Sequence, residues 1–145
     1  MINPIDANQV RPQFNRAATT YDRAALLPCT VTETLLQRLA IIRMQPESIL
    51  DLGCRTGYST QGLHQRYPAA KQIAVEQGEC FLAQLRKKEH TLGKKTGCVC
   101  SGTSPLPFKS NCFDLVYSNL TLHWSADYAY VLAVYSYFQP LEWIR

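Results

Sequence analysis

The chain has 145 residues, of which 46% are hydrophobic and 18% charged, and its formal net charge is +4. That length and composition can bury one core and predict a single domain, residues 1–145. Its apolar stretches are shorter than the roughly 20 residues of a membrane-spanning helix, and its first residues lack the basic-then-apolar layout of a signal peptide. We therefore expect a cytoplasmic protein that neither spans a membrane nor is exported.

The cysteines, histidines and basic residues argue against further classes of site. The six cysteines lie in apolar surroundings without a regular spacing, which predicts reduced core thiols rather than disulfides. With three scattered histidines they do not form the four-ligand set of a zinc site, so we expect no metal. Much of the positive charge falls in residues 85–95 without interleaved aromatic residues, which disfavours a nucleic-acid surface.

The first 45 residues predict a helical cap. Pro28 interrupts the opening pattern, and residues 30–42 then carry apolar side chains at helical spacing. Residues 46–145 predict alternating strands and helices. The predicted strands are 48–53, 71–76, 96–102 and 113–119, and the predicted helices are 59–67, 80–90 and 126–138.

This alternation predicts an α/β fold. Connections too long for hairpins indicate βαβ units and a parallel sheet that is covered on both faces. Ligands of such sheets bind beyond the carboxyl ends of the strands, where the strand order reverses. His64 and His90 fall on predicted helix surfaces, where we expect them to be solvated.

The turn after the first predicted strand carries the main functional signal. Gly53 and Gly57 suit a backbone that bends sharply and approaches a ligand closely. Glu76 ends the second strand about 20 residues later, where a carboxylate can accept hydrogen bonds from ribose hydroxyls. Together they indicate a ribose-bearing cofactor. The alternative is a turn of purely structural glycines with a solvent-facing glutamate.

Four segments resemble the class I S-adenosylmethionine-dependent methyltransferases, most closely the malonyl-acyl carrier protein O-methyltransferases of biotin biosynthesis. They are FNRAATTYD (14–22), ILDLGCRTGYS (49–59), IAVE (73–76) and LPFKSNCFDLVYSNLTLHW (106–124). The resemblance implies a Rossmann-like fold whose parallel sheet stops after the fourth strand and its helix, with S-adenosylmethionine as the cofactor.

The same resemblance implies roles for individual residues. The methionine end of the cofactor would be lined by Asp51, Gly53, Cys54 and Gly57, its ribose and adenine by Glu76 and Gln77, and the region of the transferred methyl by Asn119; the substrate side would be shaped by Phe14, Tyr21, His123 and Trp124. Phe14 and Tyr21 have an alternative as packing residues of the first helix, and Trp124 has one as a buried anchor.

No residue is assigned as a catalytic base. The substrate that the resemblance implies, a malonyl thioester, carries a carboxylate that is already ionised at neutral pH. Such a nucleophile needs no deprotonation, so alignment and desolvation would carry the catalysis. His123 is therefore not expected to act as a base.

Two residues depart from the family pattern. Arg55 stands where the family has the middle glycine of the turn, and a left-handed backbone there would cost on the order of 1–2 kcal/mol. Its side chain would extend into solvent, hold the cofactor's carboxylate, or fill the pocket. Gly102 stands where the family has an acid that reaches the adenine.

The end of the chain is a third departure. Relatives continue beyond the position of Pro140 into a fifth strand, so the fourth strand is expected to expose an unpaired edge. We expect a homodimer through that edge, a requirement for a partner, or low stability.

Three functions follow from these features. The first is carboxyl O-methylation of a malonyl-acyl carrier protein, whose acidic surface the lysines of residues 87–95 would suit. The second is a catalytically inactive remnant of the fold that acts as a binding or regulatory partner. The third, a nicotinamide-dependent oxidoreductase, is disfavoured because the turn lacks the wider G-x-G-x-x-G spacing.

Overall fold

The computed structural model describes residues 12, 13, 15–93, 95–121, 124, 125, 129 and 133. In chain order the helices and strands are α1 (Tyr21–Ala24), α2 (Leu26–Leu39), β1 (Ser48–Leu52), α3 (Tyr58–Arg66), β2 (Lys71–Glu76), α4 (Glu79–Leu92), β3 (Gly97–Cys100) and β4 (Leu115–Ser118). The helix predicted over residues 126–138 lies outside the described residues apart from 129 and 133.

The strands form a parallel sheet in the order β3-β2-β1-β4, which confirms the predicted α/β architecture. In its register, Leu50 of β1 pairs with Ile73 of β2 and with Val116 of β4. The chain moves outward from β1 to β3 and then returns to β4 on the other side of β1, so the strand order reverses between β1 and β4. That reversal places a ligand crevice beyond the carboxyl ends of these two strands.

Both faces of the sheet are covered. Successive side chains of β1 point to opposite faces and pack in two different clusters. On one face Leu50 and Leu52 pack in a cluster with Phe113 from the segment before β4. On the other face Ile49 packs with Leu63 of α3, against partly buried leucines of α2. All of β1 after its first residue is buried, which fits a central parallel strand.

The boundaries of α2 differ from the prediction. The helix begins at Leu26 and includes Pro28 in its first turn, where a missing backbone N–H removes no helical hydrogen bond. It ends at Leu39, and Ile41 and Ile42 are exposed. The interpretation of Pro28 as an interruption was therefore wrong.

The prediction that His64 is solvated was also wrong. This histidine of α3 is 8% exposed and faces α4 and the residue before β3. Its Nε2 lies 2.9 Å from Thr96 Oγ1 and 3.4 Å from Glu89 Oε1. The partners are polar groups distant in sequence, so the helix pattern alone did not reveal them. His90, by contrast, is exposed as predicted.

All six cysteines are free, as predicted, but only Cys54 is buried. Cys80, Cys100 and Cys112 are exposed, so the expectation that the thiols lie in the core was wrong for these three. Among the described residues, no group of three or more His, Cys, Asp and Glu side chains is arranged to hold a metal ion. The same residues include no helix whose length and apolarity would let it cross a membrane.

Candidate functional site: the turn after strand β1

The turn between β1 and α3 takes a left-handed backbone at three positions. Gly53, Arg55 and Gly57 have φ angles of 80°, 51° and 86°. A Cβ on Gly53 would collide with the side chain of Thr121, and one on Gly57 with Leu85. The two glycines are therefore required by sterics as well as by φ, whereas Arg55 adopts the same backbone region with a full side chain.

Asp51 lies at the end of β1 but directs its carboxylate into the protein. Its Oδ2 accepts hydrogen bonds from Ser59 and Thr60, each 2.7 Å long, which fixes the first turn of α3. Burial raises the pKa of Asp51 to about 6, although the two hydroxyls lower it. This carboxyl group is already engaged by the start of α3.

Cys54 follows Gly53 and is buried against the core. Its side chain packs with Ala74, Leu82 and Leu85, and burial raises the pKa of its thiol well above the usual range. The backbone N–H groups of Gly53 and Cys54 both donate to Val75 O, at 2.8 and 3.2 Å. These bonds tie the turn to the end of β2.

Glu76 ends β2 and is 2% exposed. Arg55 donates to it from two groups: its Nη1 lies 3.2 Å from Oε2 and 3.3 Å from Oε1, and its backbone N lies 3.2 Å from Oε2. The backbone N of Gly78 donates to Oε1 at 3.1 Å. The buried carboxylate is thus neutralised and hydrogen-bonded by its own chain, and the alternative of a solvent-facing glutamate is wrong.

The guanidinium of Arg55 lies beside two aromatic residues, Phe81 and Tyr21. It lies 5.8 Å from the centroid of the Phe81 ring, and Tyr21 meets that same ring edge-on at 5.1 Å. Burial raises the pKa of Tyr21, against the lowering effect of the charge of Arg55 and of a hydrogen bond from it. Only 15% of the Arg55 side chain is exposed, so its position is set by packing on several sides.

Three cavities meet at Arg55. The largest, about 380 Å³, opens between the N-terminal segment and the end of β4, and its lining includes Tyr21, Phe81, Asn119 and Trp124. A second cavity, of about 20 Å³, lies between the turn and β2 beside Glu76. A third, of about 30 Å³, lies against the first residues of the turn. Arg55 lines all three cavities.

Asn119 follows β4 and borders the largest and the third cavity. Its Nδ2 donates to Pro28 O and to Thr32 Oγ1, both at 2.8 Å, which fastens α2 to the end of β4. Its Oδ1 is buried and has no hydrogen-bond partner among the described residues. An unpartnered buried acceptor at a cavity wall is a position where a donor group of a ligand would be favourable.

The N-terminal segment is fastened over these cavities by polar contacts. Asp22 accepts a hydrogen bond from Thr56 Oγ1 at 2.5 Å and pairs with Lys88 Nζ at 2.7 Å. Burial opposes ionisation of Asp22, but Lys88 and Thr56 together lower its pKa. Asn15 adds a hydrogen bond from the backbone N of Cys80 to its Oδ1. These contacts bring α1 against the turn and α4.

The remaining predicted site residues fall into two groups. Gln77 and Trp124 line the second cavity, together with Ser101, Gly102 and Thr103, so the described wall of that cavity after β3 is neutral. Trp124 is 37% exposed and is not a buried anchor. Phe14 and His123 lie outside the described residues.

Sequence analysis missed four residues that shape the site: Pro28, Thr32, Phe81 and Thr121. Phe81 had a visible signal, because an aromatic residue in the first turn of the helix after β2 lies beside that strand's carboxyl end. Thr32 and Thr121 had none, since their contacts cross long sequence separations.

The methyltransferase domain family matches residues 50–135 of this chain. This range contains the turn, β2 and β4, and the chain belongs to that family. The match does not support the nicotinamide-dependent alternative.

Curated relatives carry a more specific name. The malonyl-[acyl-carrier protein] O-methyltransferase of Halorhodospira halophila is 40% identical over 123 residues, covering 85% of this chain and 41% of that relative. A protein of the same name from Coxiella burnetii is 35% identical over 123 residues, covering 85% and 40%. The resemblance found in the sequence is confirmed, and the chain spans about two fifths of the length of these relatives.

Solved structures share the fold. The plantazolicin methyltransferase BpumL, crystallised in complex with a pentazolic desmethylPZN analog and SAH, has a TM-score of 0.67 at 19% identity over 86% of this chain and 49% of its own. An S-adenosylmethionine-dependent methyltransferase of Clostridium acetobutylicum has a TM-score of 0.57 at 24% identity over 72% and 43%. At these identities the similarity shows the Rossmann-like methyltransferase fold.

Proposed function

We propose that this chain carries the cofactor-binding region of an S-adenosylmethionine-dependent methyltransferase. The main support is the buried carboxylate of Glu76 at the end of β2, next to a turn whose glycines Gly53 and Gly57 leave no room for a Cβ. Membership of the methyltransferase domain family and the folds of the neighbouring structures agree with it.

The described residues fit this cofactor at one end only. At the methionine end, the close turn at Gly53 and the unpartnered Oδ1 of Asn119 suit a ligand that carries an ammonium donor. At the ribose end, the oxygens of Glu76 are held by Arg55, and the adjoining cavity of about 20 Å³ has room for about one water molecule. The ribose and adenine therefore do not fit while Arg55 keeps this position.

For the acceptor, we propose a malonyl-acyl carrier protein, with a cytoplasmic role in biotin biosynthesis. The names of the curated relatives support this acceptor. The described lining of the 380 Å³ cavity contains no aspartate, glutamate or histidine and is mostly apolar. Such a wall would exclude water from the acceptor. Because the acceptor is already ionised, its methylation would need no general base.

The second candidate is a methyltransferase-fold protein that no longer catalyses and acts as a binding or regulatory partner. The ion pair between Arg55 and Glu76 specifically favours it, because it occupies the carboxylate that a ribose would use. The two candidates differ in whether the chain binds the cofactor at all.

Calorimetric and thermal-shift titration with S-adenosylmethionine and S-adenosylhomocysteine, extended into the millimolar range, tests the proposal. Ligand at about a hundred times its Kd should add about 2.7 kcal/mol of stability. Reduced nicotinamide dinucleotide serves as the control ligand and should give no shift. If neither the folded parent nor a folded Arg55→Gly variant binds S-adenosylmethionine or S-adenosylhomocysteine, the proposal is contradicted and the second candidate is left.

A further inference from the structure

One arginine of this chain occupies the hydrogen-bonding positions that a ribose would need. The carboxylate of Glu76 is an acceptor, and both the hydroxyls of a ribose and the guanidinium of Arg55 are donors. Arg55 already supplies its Nη1 and its backbone N, and Gly78 supplies a third N–H group. A ribose on this carboxylate would have to take the place of the guanidinium.

The guanidinium is the stronger of the two competitors for the carboxylate. A charged donor forms hydrogen bonds to a carboxylate that are roughly twice as strong as those of a neutral group such as a hydroxyl. The pair is also well shielded, because the Glu76 side chain is 1% exposed and that of Arg55 is 15% exposed. Contacts with Phe81 and Tyr21 further stabilise the guanidinium in this position.

The same side chain also closes the space that the ligand would fill. Arg55 borders the cavities of about 20, 30 and 380 Å³, so its departure would leave a wider groove along the carboxyl ends of β1 and β2. Its left-handed backbone, with φ of 51°, suits glycine or asparagine better than arginine. Glycine or asparagine at position 55 is therefore expected to keep the backbone of the turn.

We propose that Arg55 is an internal plug: its guanidinium takes the ribose position on Glu76, and nucleoside ligands bind only when it is displaced. The plug rests on the proposed function, since it concerns the same cofactor groove. The affinity of the groove for nucleoside ligands would then depend on which residue stands at position 55.

The test compares the affinity of S-adenosylhomocysteine for the parent chain and for Arg55→Gly and Arg55→Asn. Both replacements suit a left-handed backbone, so at least one folded variant is expected. Each should lower the Kd at least tenfold, which corresponds to about 1.4 kcal/mol. Arg38→Asn, at an exposed position of α2, removes the same charge away from the groove and should leave the Kd unchanged.

A second comparison locates the gain at Glu76. Adding Glu76→Gln to Arg55→Gly should reverse the gain, and adenosine should gain more from Arg55→Gly than 2′-deoxyadenosine does. Equal, measurable affinities in the parent and both Arg55 variants would overturn the plug and leave the proposed function standing. Absence of binding in all of them, although folded, would overturn both.

Discussion

Asp51 and Thr60 are joined by a 2.7 Å hydrogen bond in which the threonine hydroxyl donates to Oδ2 of a carboxyl group that is 1% exposed. The bond connects the end of β1 to the first turn of α3 across the cofactor turn. Because burial raises its pKa to about 6 from an ordinary value of 3.8, this carboxyl group resists ionisation in the folded protein.

Asp51→Asn should therefore change the pH dependence of stability. The folded-state pKa lies above the unfolded value, so the stability that Asp51 contributes is fully present below the unfolded pKa and is lost as pH rises through about 6. Relative to the parent, the neutral variant should gain up to about 3 kcal/mol between about pH 4 and about pH 7. Urea unfolding across this range measures the difference.

Asp114→Asn provides a control of opposite sign. Hydrogen bonds from the Ser48 hydroxyl and from the backbone N–H groups of Ser48 and Glu47 lower the pKa of Asp114, although burial raises it. The stability it contributes is present above its unfolded pKa and is lost as pH falls through the folded value. The same pH dependence of stability in both variants would contradict the raised pKa of Asp51.

Gly57→Ala and Gly93→Ala separate backbone strain from steric collision. Both glycines have left-handed φ angles, 86° and 63°, but only a Cβ on Gly57 would meet another side chain, Leu85. Each alanine should cost about 1 kcal/mol through its backbone, and Gly57→Ala should cost about 1–3 kcal/mol more through overpacking. Equal free energies of unfolding for the two variants would show that Leu85 moves aside at little cost.

His64→Ala should destabilise the protein by about 1–3 kcal/mol, because it leaves buried Glu89 and Thr96 without one hydrogen-bond partner. His90 is exposed on α4, so His90→Ala should change stability by less than about 0.5 kcal/mol. Chemical denaturation of both variants makes the comparison. Similar losses of stability in the two variants would contradict the buried contacts of His64 and support the solvated position that its helix pattern suggested.

Asn119→Asp should loosen α2 from the end of β4. The donor that bonds Pro28 O and Thr32 Oγ1 at 2.8 Å becomes an acceptor, which removes the bond to the Pro28 carbonyl and places a carboxylate oxygen against it, at a cost of about 1–3 kcal/mol. Ser118→Ala is the matched neighbour: it loses one hydroxyl bond to Leu52 O and should cost no more than about 1.5 kcal/mol. Hydrogen exchange of α2 should accelerate in the first variant alone.

The strands and two of the helices could be predicted closely because their signals are local. The run at residues 71–76 was predicted to the residue, since its buried pattern is bounded by Pro68 and by Gly78. The predicted ranges 59–67 and 80–90 differ by no more than two residues from α3 and α4. The start of α2 was missed because a proline breaks a helix interior but is tolerated in a first turn.

The backbone of the site could be predicted from the sequence, but the positions of its side chains could not. Glycines and a strand-ending acid mark the turn, and the left-handed backbone that the pattern raised as one condition at Arg55 is observed. The destination of its guanidinium did not follow, because a long side chain is directed by the space that the folded neighbours leave. Of the three predicted directions the structure shows the filled pocket, with Glu76 as the partner.

Two of the three exposed cysteines, Cys80 and Cys100, are next in sequence to residues that line the groove, and they offer native attachment points there. Cys80 lies in the first turn of α4, where its backbone N bonds to Asn15, and Cys100 ends β3, where its thiol donates to Gln77 O. A fluorophore or spin label on the first would respond to the seating of the N-terminal segment, and one on the second to the groove wall beside Gln77. Once the third exposed thiol is removed by Cys112→Ser, spectroscopic distances between the two labels would report on both regions together.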